Sequence, residues 1–107
     1  MTAPGAEPTE DEVLEIARQV AAIVKRVIGD PAYRVFLFGS WALGDARERS
    51  DIDIGIEGPA PVTPEAMFEI REACERLPTL YTIDMVDFAR VSLDFRRDAR
   101  VVEVEPA

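Results

Sequence analysis

Val13, Ile16, Ala17, Val20, Ile23, Val24 and Val27 recur at spacings of three and four, the period of a helix with one apolar face. Thr9 stands where an N-cap belongs, Glu12 follows three residues on as a capping box requires, and Gly29 and Pro31 end the run. The spacing predicts an amphipathic helix of about five turns. Arg34-Val35-Phe36-Leu37-Phe38 is nearly all apolar, as expected of a short strand buried on both faces. Gly39-Ser40-Trp41-Ala42-Leu43-Gly44 reads as a single helical turn opened by Ser40, and Asp45 to Ser50 as a polar loop. Asp51-Ile52-Asp53-Ile54-Gly55-Ile56 alternates strictly and predicts a second strand. Gly58, Pro59 and Pro61 punctuate a loop. Thr63-Pro64 then opens a second helix, with Thr as cap and Pro in the first position. Met67, Ile70, Ala73, Cys74 and Leu77 line that helix, and Pro78 ends it. Leu80 to Phe88 reads as a third strand, Ser92 as the cap of a short helix around Phe95, and Val101 to Val104 as an edge strand.

The resulting fold class is α/β (α+β), a small mixed β-sheet with flanking helices. Residues 1 to 8, rich in Pro, Gly and Ala, predict a flexible N-terminal tail, which leaves one domain over residues 9 to 107. The 48% apolar content of the 107 residues suits a single core.

Composition removes several chemistries. The chain has no histidine, one cysteine (Cys74) and one lysine (Lys25). A Ser-His-Asp or Cys-His nucleophile and an imidazole metal site are therefore excluded. So is an intramolecular disulfide, and Lys25 lies far from any glycine-rich phosphate loop. Any catalysis must rest on carboxylates. There are 21 Asp and Glu against 12 Lys and Arg, a net charge of −9. Such a surface repels a phosphate backbone, so direct DNA binding is not expected. No apolar run of membrane-spanning length and no charged-then-apolar leader occurs. A soluble, cytoplasmic protein without a membrane partner is expected.

The carboxylates that matter stand on the second strand. Alternation puts Asp51 and Asp53 on one face, roughly 6.5–7 Å apart along the strand. Two carboxylates so placed repel unless a cation lies between them. Mg²⁺ suits, because it takes oxygen ligands and binds through one or two carboxylates plus substrate phosphates. An acidic solvent face is the competing explanation. Gly39-Ser40 follows an apolar strand and opens a helical turn, which leaves backbone N–H groups free to cradle an anion. An ordinary strand-to-helix turn would look the same. Cradle and acid pair meet at one sheet end only if the first two strands run antiparallel. Asp84, between Ile83 and Met85, adds a third acid that is costly to bury unless paired or metal-bound. An exposed edge-strand acid is its alternative. Asp87 competes with it, but points to the opposite face.

Gly39-Ser40, Gly44, Ser50-Asp51-Ile52-Asp53 and Asp84 together resemble the signature of the DNA polymerase beta-like nucleotidyltransferase superfamily. In size the chain resembles its minimal nucleotidyltransferase (MNT) branch. The resemblance covers about residues 10 to 100. It implies that Asp51, Asp53 and Asp84 hold two Mg²⁺ ions and that Gly39 and Ser40 grip the phosphates of a nucleoside triphosphate. It also implies attack by an acceptor hydroxyl on the α-phosphorus, with loss of pyrophosphate. Asp84 is then the best available general base, and no histidine is needed. One position departs from the pattern: many relatives carry Arg two residues after Trp41, where this chain has Leu43. Arg47 and Arg49 in the following loop would supply the positive charge toward the triphosphate instead, or stand there as solvated loop arginines.

MNT proteins of this size resemble antitoxins that transfer AMP from ATP to a tyrosine of a HEPN-type ribonuclease toxin. A basic, helical partner would suit a chain of charge −9. Two other readings stand beside this one. One is a non-catalytic antitoxin that neutralises its partner by binding, and the other a small-molecule nucleotidyltransferase.

Overall fold

A four-stranded sheet in the order β3-β2-β1-β4 organises the chain. The structure is a computed structural model, and it describes residues 10–39, 51–79, 81–91 and 101–106. Its elements are α1 (Glu10–Ile28), β1 (Arg34–Phe38), β2 (Ile52–Glu57), α2 (Pro64–Glu75), β3 (Ile83–Asp87), a 3₁₀ turn (Phe88–Arg90) and β4 (Val101–Val104). The mixed sheet and two helices agree with the predicted fold class.

β1 runs antiparallel to β2, with Leu37 opposite Ile54 and Phe38 opposite Asp53. This is the pairing that the Gly39 turn and the acid pair require if they are to meet. β2 and β3 are parallel, with Asp53 opposite Asp84. A parallel pair cannot be closed by a tight turn, and α2 supplies the crossover. β4 lies antiparallel on the other side of β1, so the predicted edge strand is present.

Alternation along β2 places Ile52, Ile54 and Ile56 on the helix-covered face, each wholly buried. Val35, Leu37, Met85 and Val104 join them, and Val13, Ala17, Val20 and Val24 of α1 with Ile70 and Cys74 of α2 close the core. One apolar stripe on each helix therefore covers one side of the sheet. α2 begins as its sequence predicts: the Thr63 hydroxyl accepts the Ala66 N–H at 3.1 Å, and Pro64 occupies the first turn.

The opposite face carries Phe36, Phe38, Asp53, Gly55 and Asp84. Phe88 folds back from the 3₁₀ turn onto it, with ring centroids 6.0 Å from Phe36 and 5.5 Å from Phe38. Its ring occupies the space that a side chain at Gly55 would take. Farther along this face Arg34 forks onto Glu103, its Nε 3.1 Å from Oε2.

Three boundaries differ from expectation. α2 stops at Glu75 rather than Leu77, because the Arg76 N–H already turns back to the Ala73 carbonyl. β2 is shifted by one residue, to Ile52–Glu57. β3 is shorter than Leu80 to Phe88, since only from Ile83 does the chain run alongside β2. The N-terminal tail, Thr9, the turn and loop between 40 and 50, and the helix expected around Phe95 lie outside the described residues. Among the described residues no helix is long and apolar enough to cross a membrane.

Candidate active site

β1 ends at Phe38, and Gly39 turns the chain with φ +75°, a region L side chains avoid. The reason for glycine there is spatial as well. A Cβ on Gly39 would lie 2.1 Å from Oδ2 and 3.0 Å from Cγ of Asp53. The Asp53 carboxylate is thus laid directly against the Gly39 backbone. Phe38 holds the register, being paired with Asp53 across β1 and β2.

Asp84 stands opposite Asp53 on the next strand, with backbones about 4.8 Å apart at strand spacing. Asp51 precedes Asp53 by two residues, at the mouth of β2. The order across this end of the sheet is therefore Gly39 turn, Asp53, Asp84. Asp53 is partly buried, whereas Asp51 and Asp84 are exposed. Asp84 thus carries none of the burial cost expected from its apolar neighbours, because β3 is the outermost of the described strands and Asp84 faces away from the helices.

The Asp53 carboxyl has its pKa raised above the ordinary carboxylate value. Burial is the main cause, followed by the like charges of Asp84 and Asp51. A hard dication would offset all three penalties at once. Among the described residues the three carboxylates do not close into a single cage of three ligands. Mg²⁺ does not require one, since it commonly binds through one or two carboxylates and completes its shell with water and substrate phosphates. The donor chemistry of Asp53 and Asp84, all hard oxygen, fits such an ion. Of the residues expected to hold the nucleotide, Gly39 is at this end of the sheet. Ser40, Arg47 and Arg49 lie outside the described residues, as do Leu43 and Gly44.

Asp87 has different work. It is buried on the helix side, where Oδ2 accepts the Val62 N–H at 2.8 Å and Oδ1 the Ala89 N–H at 2.9 Å. The Arg90 Nε lies 3.3 Å from Oδ2, and Nη2 of the same arginine donates to the Val62 carbonyl at 3.1 Å. These bonds pin the loop before α2 to the far end of β3. Asp87 is thereby committed to holding this loop, on the face of β3 opposite Asp84. The anchoring role has a local signal in the sequence, since an Asp two residues before an N–H donor is a recognisable turn former.

Two carboxylates in register beside a glycine turn, on an antiparallel-then-parallel sheet, point to metal-assisted phosphoryl chemistry. Residues 30–101 match the family described as polymerase beta, nucleotidyltransferase. The chain belongs to that family. It is a nucleotidyltransferase with the polymerase-beta-like fold, as the sequence resemblance implied.

Among its relatives is the probable protein adenylyltransferase MntA of Haemophilus influenzae. The two are 34% identical over 93 residues, covering 85% of this chain and 82% of that protein. Two solved structures share the fold. One is a toxin–antitoxin with AMP-PNP, at TM-score 0.55 and 19% identity, covering 94% of this chain and 75% of that one. The other is the MNT antitoxin in complex with the tri-AMPylated HEPN toxin of Shewanella oneidensis, at TM-score 0.52 and 18% identity, covering 92% and 70%.

Proposed function

We propose that this nucleotidyltransferase moves AMP from ATP to a tyrosine hydroxyl of a HEPN-type toxin and acts as its antitoxin. The observation that carries the proposal is the pairing of Asp53 with Asp84 beside the Gly39 turn. The relative's description as a protein adenylyltransferase and the AMPylated toxin in the second similar structure support the acceptor class. The AMP-PNP complex supports the donor.

In this reading Asp51 and Asp53 would hold two Mg²⁺ ions and Asp84 would complete the site of one. Bound there, the ions would lower the acceptor hydroxyl pKa and neutralise charge on entering and leaving oxygens. Gly39 contributes its backbone, and Ser40, Arg47 and Arg49 the hydroxyl and guanidinium groups that grip the β- and γ-phosphates. The acceptor oxygen forms a bond to the α-phosphorus, and the α-phosphorus to β-bridging-oxygen bond breaks. Pyrophosphate leaves with that electron pair, and the hydroxyl proton passes to Asp84. Reaction occurs in the cytoplasm, where ATP and Mg²⁺ are supplied.

The test is transfer of labelled AMP from ATP to a purified HEPN-type partner with Mg²⁺. Label should appear on a partner tyrosine and vanish with Asp53→Asn. A partner that stays unlabelled yet is still neutralised would establish inhibition by binding alone. Saturating Mg²⁺-ATP should also raise the melting temperature, because ligand binds the folded chain alone.

A further inference from the structure

Gly55 follows Asp53 by two residues, so both present the same face of β2, roughly 6.5–7 Å apart along the strand. A glycine inside a strand often marks the close approach of another group. Here the group is Phe88. A Cβ on Gly55 would lie 2.1 Å from Cζ and 2.4 Å from Cε1 of the ring, so the ring enters tip first and rests on bare backbone. Phe36 and Val86 are the cross-strand neighbours of Gly55. The ring centre is 5.5 Å from that of Phe38, which is the cross-strand partner of Asp53. Phe88 is buried. Its ring therefore fills the space behind Asp53, on the side away from the sheet end that carries Asp51.

The Asp53 carboxylate leans the other way. Phe38 is opposite Asp53 in an antiparallel pair, so Gly39 lies one residue nearer the Asp51 end. Oδ2 and Cγ of Asp53 crowd the Cβ position of Gly39, which turns the carboxylate toward that end. An aspartate has other staggered rotamers, one of which would point back along the strand. Above a bare glycine that rotamer would meet open space. The like charges of Asp51 and Asp84 would favour it before any cation is bound.

We infer that Phe88 is a positioning residue for Asp53: its ring, lodged on Gly55, denies the carboxylate the rearward rotamer and keeps it on the Gly39 side with Asp51 and Asp84. The inference rests on the proposed reading of Asp53 as a metal ligand. A ligand locked by packing in its binding rotamer needs no rearrangement when the ion arrives. Buried as it is, the ring acts through Asp53 and not on the nucleotide.

Phe88→Leu removes the ring tip that meets Gly55 and keeps apolar bulk. Adding Gly55→Ala returns a methyl to the vacated space, because the Cβ and Cζ positions are 2.1 Å apart. The Kd of Mg²⁺-ATP is measured by calorimetry on the full chain, without acceptor and well below the melting temperature. It should rise about tenfold in Phe88→Leu and return to within about twofold of the unaltered value in the double variant. A second measurement needs no ligand. Gly39→Ala forces the carboxylate from its place, and with the ring tip gone it has space to enter. The urea-midpoint loss caused by Gly39→Ala should therefore shrink by about half in the Phe88→Leu background. An undiminished loss there overturns the backstop. An unchanged Kd in a destabilised Phe88→Leu overturns the positioning role and reduces the ring to core packing. An unaltered chain that binds no Mg²⁺-ATP refutes the metal-ligand reading instead, and the coupling of Gly39 with Phe88 still decides the backstop. Phe88→Met, unbranched and without a rigid tip, takes the place of Phe88→Leu in both measurements if the latter does not fold.

Discussion

Gly39→Ala is the sharpest perturbation that the site offers. An alanine held at φ +75° costs about 1–2 kcal/mol in backbone strain. Its Cβ would also lie 2.1 Å from the Asp53 Oδ2, far inside van der Waals contact. The carboxylate must leave its rotamer, which adds about 0.5–1.5 kcal/mol. The expected loss of stability is about 1.5–3.5 kcal/mol in all. Gly29 provides an internal control, because it has φ +71° with nothing within 4 Å of a built Cβ. Gly29→Ala should therefore show the backbone cost alone, and the unfolded-chain entropy change is common to both substitutions. Urea unfolding measures the difference: with a slope of about 2 kcal/mol per molar, Gly39→Ala moves the midpoint down by about 1 M. In an Asp53→Ala background the contact vanishes, and Gly39→Ala should fall back to about the cost of Gly29→Ala, a non-additivity that reports direct contact. Equal losses for Gly39→Ala and Gly29→Ala in the unaltered background would refute the account. A displaced Asp53 should also cost AMP transfer about a hundredfold, as misplacements near 1 Å do.

Asp53→Asn tests the electrostatics. With its proton affinity raised in the folded state, Asp53 binds more protons folded than unfolded between the ordinary carboxylate pKa and the raised value. Its contribution to stability therefore falls as pH rises through that window, and at neutral pH it is a penalty. In metal-free buffer Asp53→Asn should be more stable by about 0.2–1 kcal/mol at neutral pH. The gain should shrink on acidification. Urea midpoints across that range read the sign, and a loss of stability at neutral pH would contradict it. Asp87→Ala strands the Val62 and Ala89 N–H groups and the Arg90 guanidinium. It should cost about 2–3 kcal/mol, seen by thermal melting, while the stabilisation by Mg²⁺-ATP persists. Cys74 is buried, and that burial pushes its thiol pKa up to about 11. Thiol reagents should label the folded chain slowly at neutral pH and the urea-unfolded chain fast, and rapid labelling of the folded form would refute the burial.

Residues close in sequence were legible because their signals are local. The three-and-four spacing of α1, the apolar run of β1, the alternation of β2 and the Thr63-Pro64 start of α2 each follow from a periodicity or a cap. The candidate site was legible to the same degree. Gly39, Asp51 and Asp53 stand out by residue type and position along a strand. Asp84 stands out in the sequence by a burial cost that it does not bear, since it is exposed.

The sequence by itself therefore determined the described helices and strands to within a few residues, the acidic character of the candidate site, the exclusion of histidine-dependent catalysis, and the family. Tertiary structure decided the order β3-β2-β1-β4 and the parallel register that sets Asp84 opposite Asp53. It also gave Asp87 to the loop before α2 and left β3 outermost among the described strands. Those outcomes depend on which distant strands pair and which face the helices cover. Alternation along one strand says which residues share a face, but only pairing between strands says which carboxylates must share a charge.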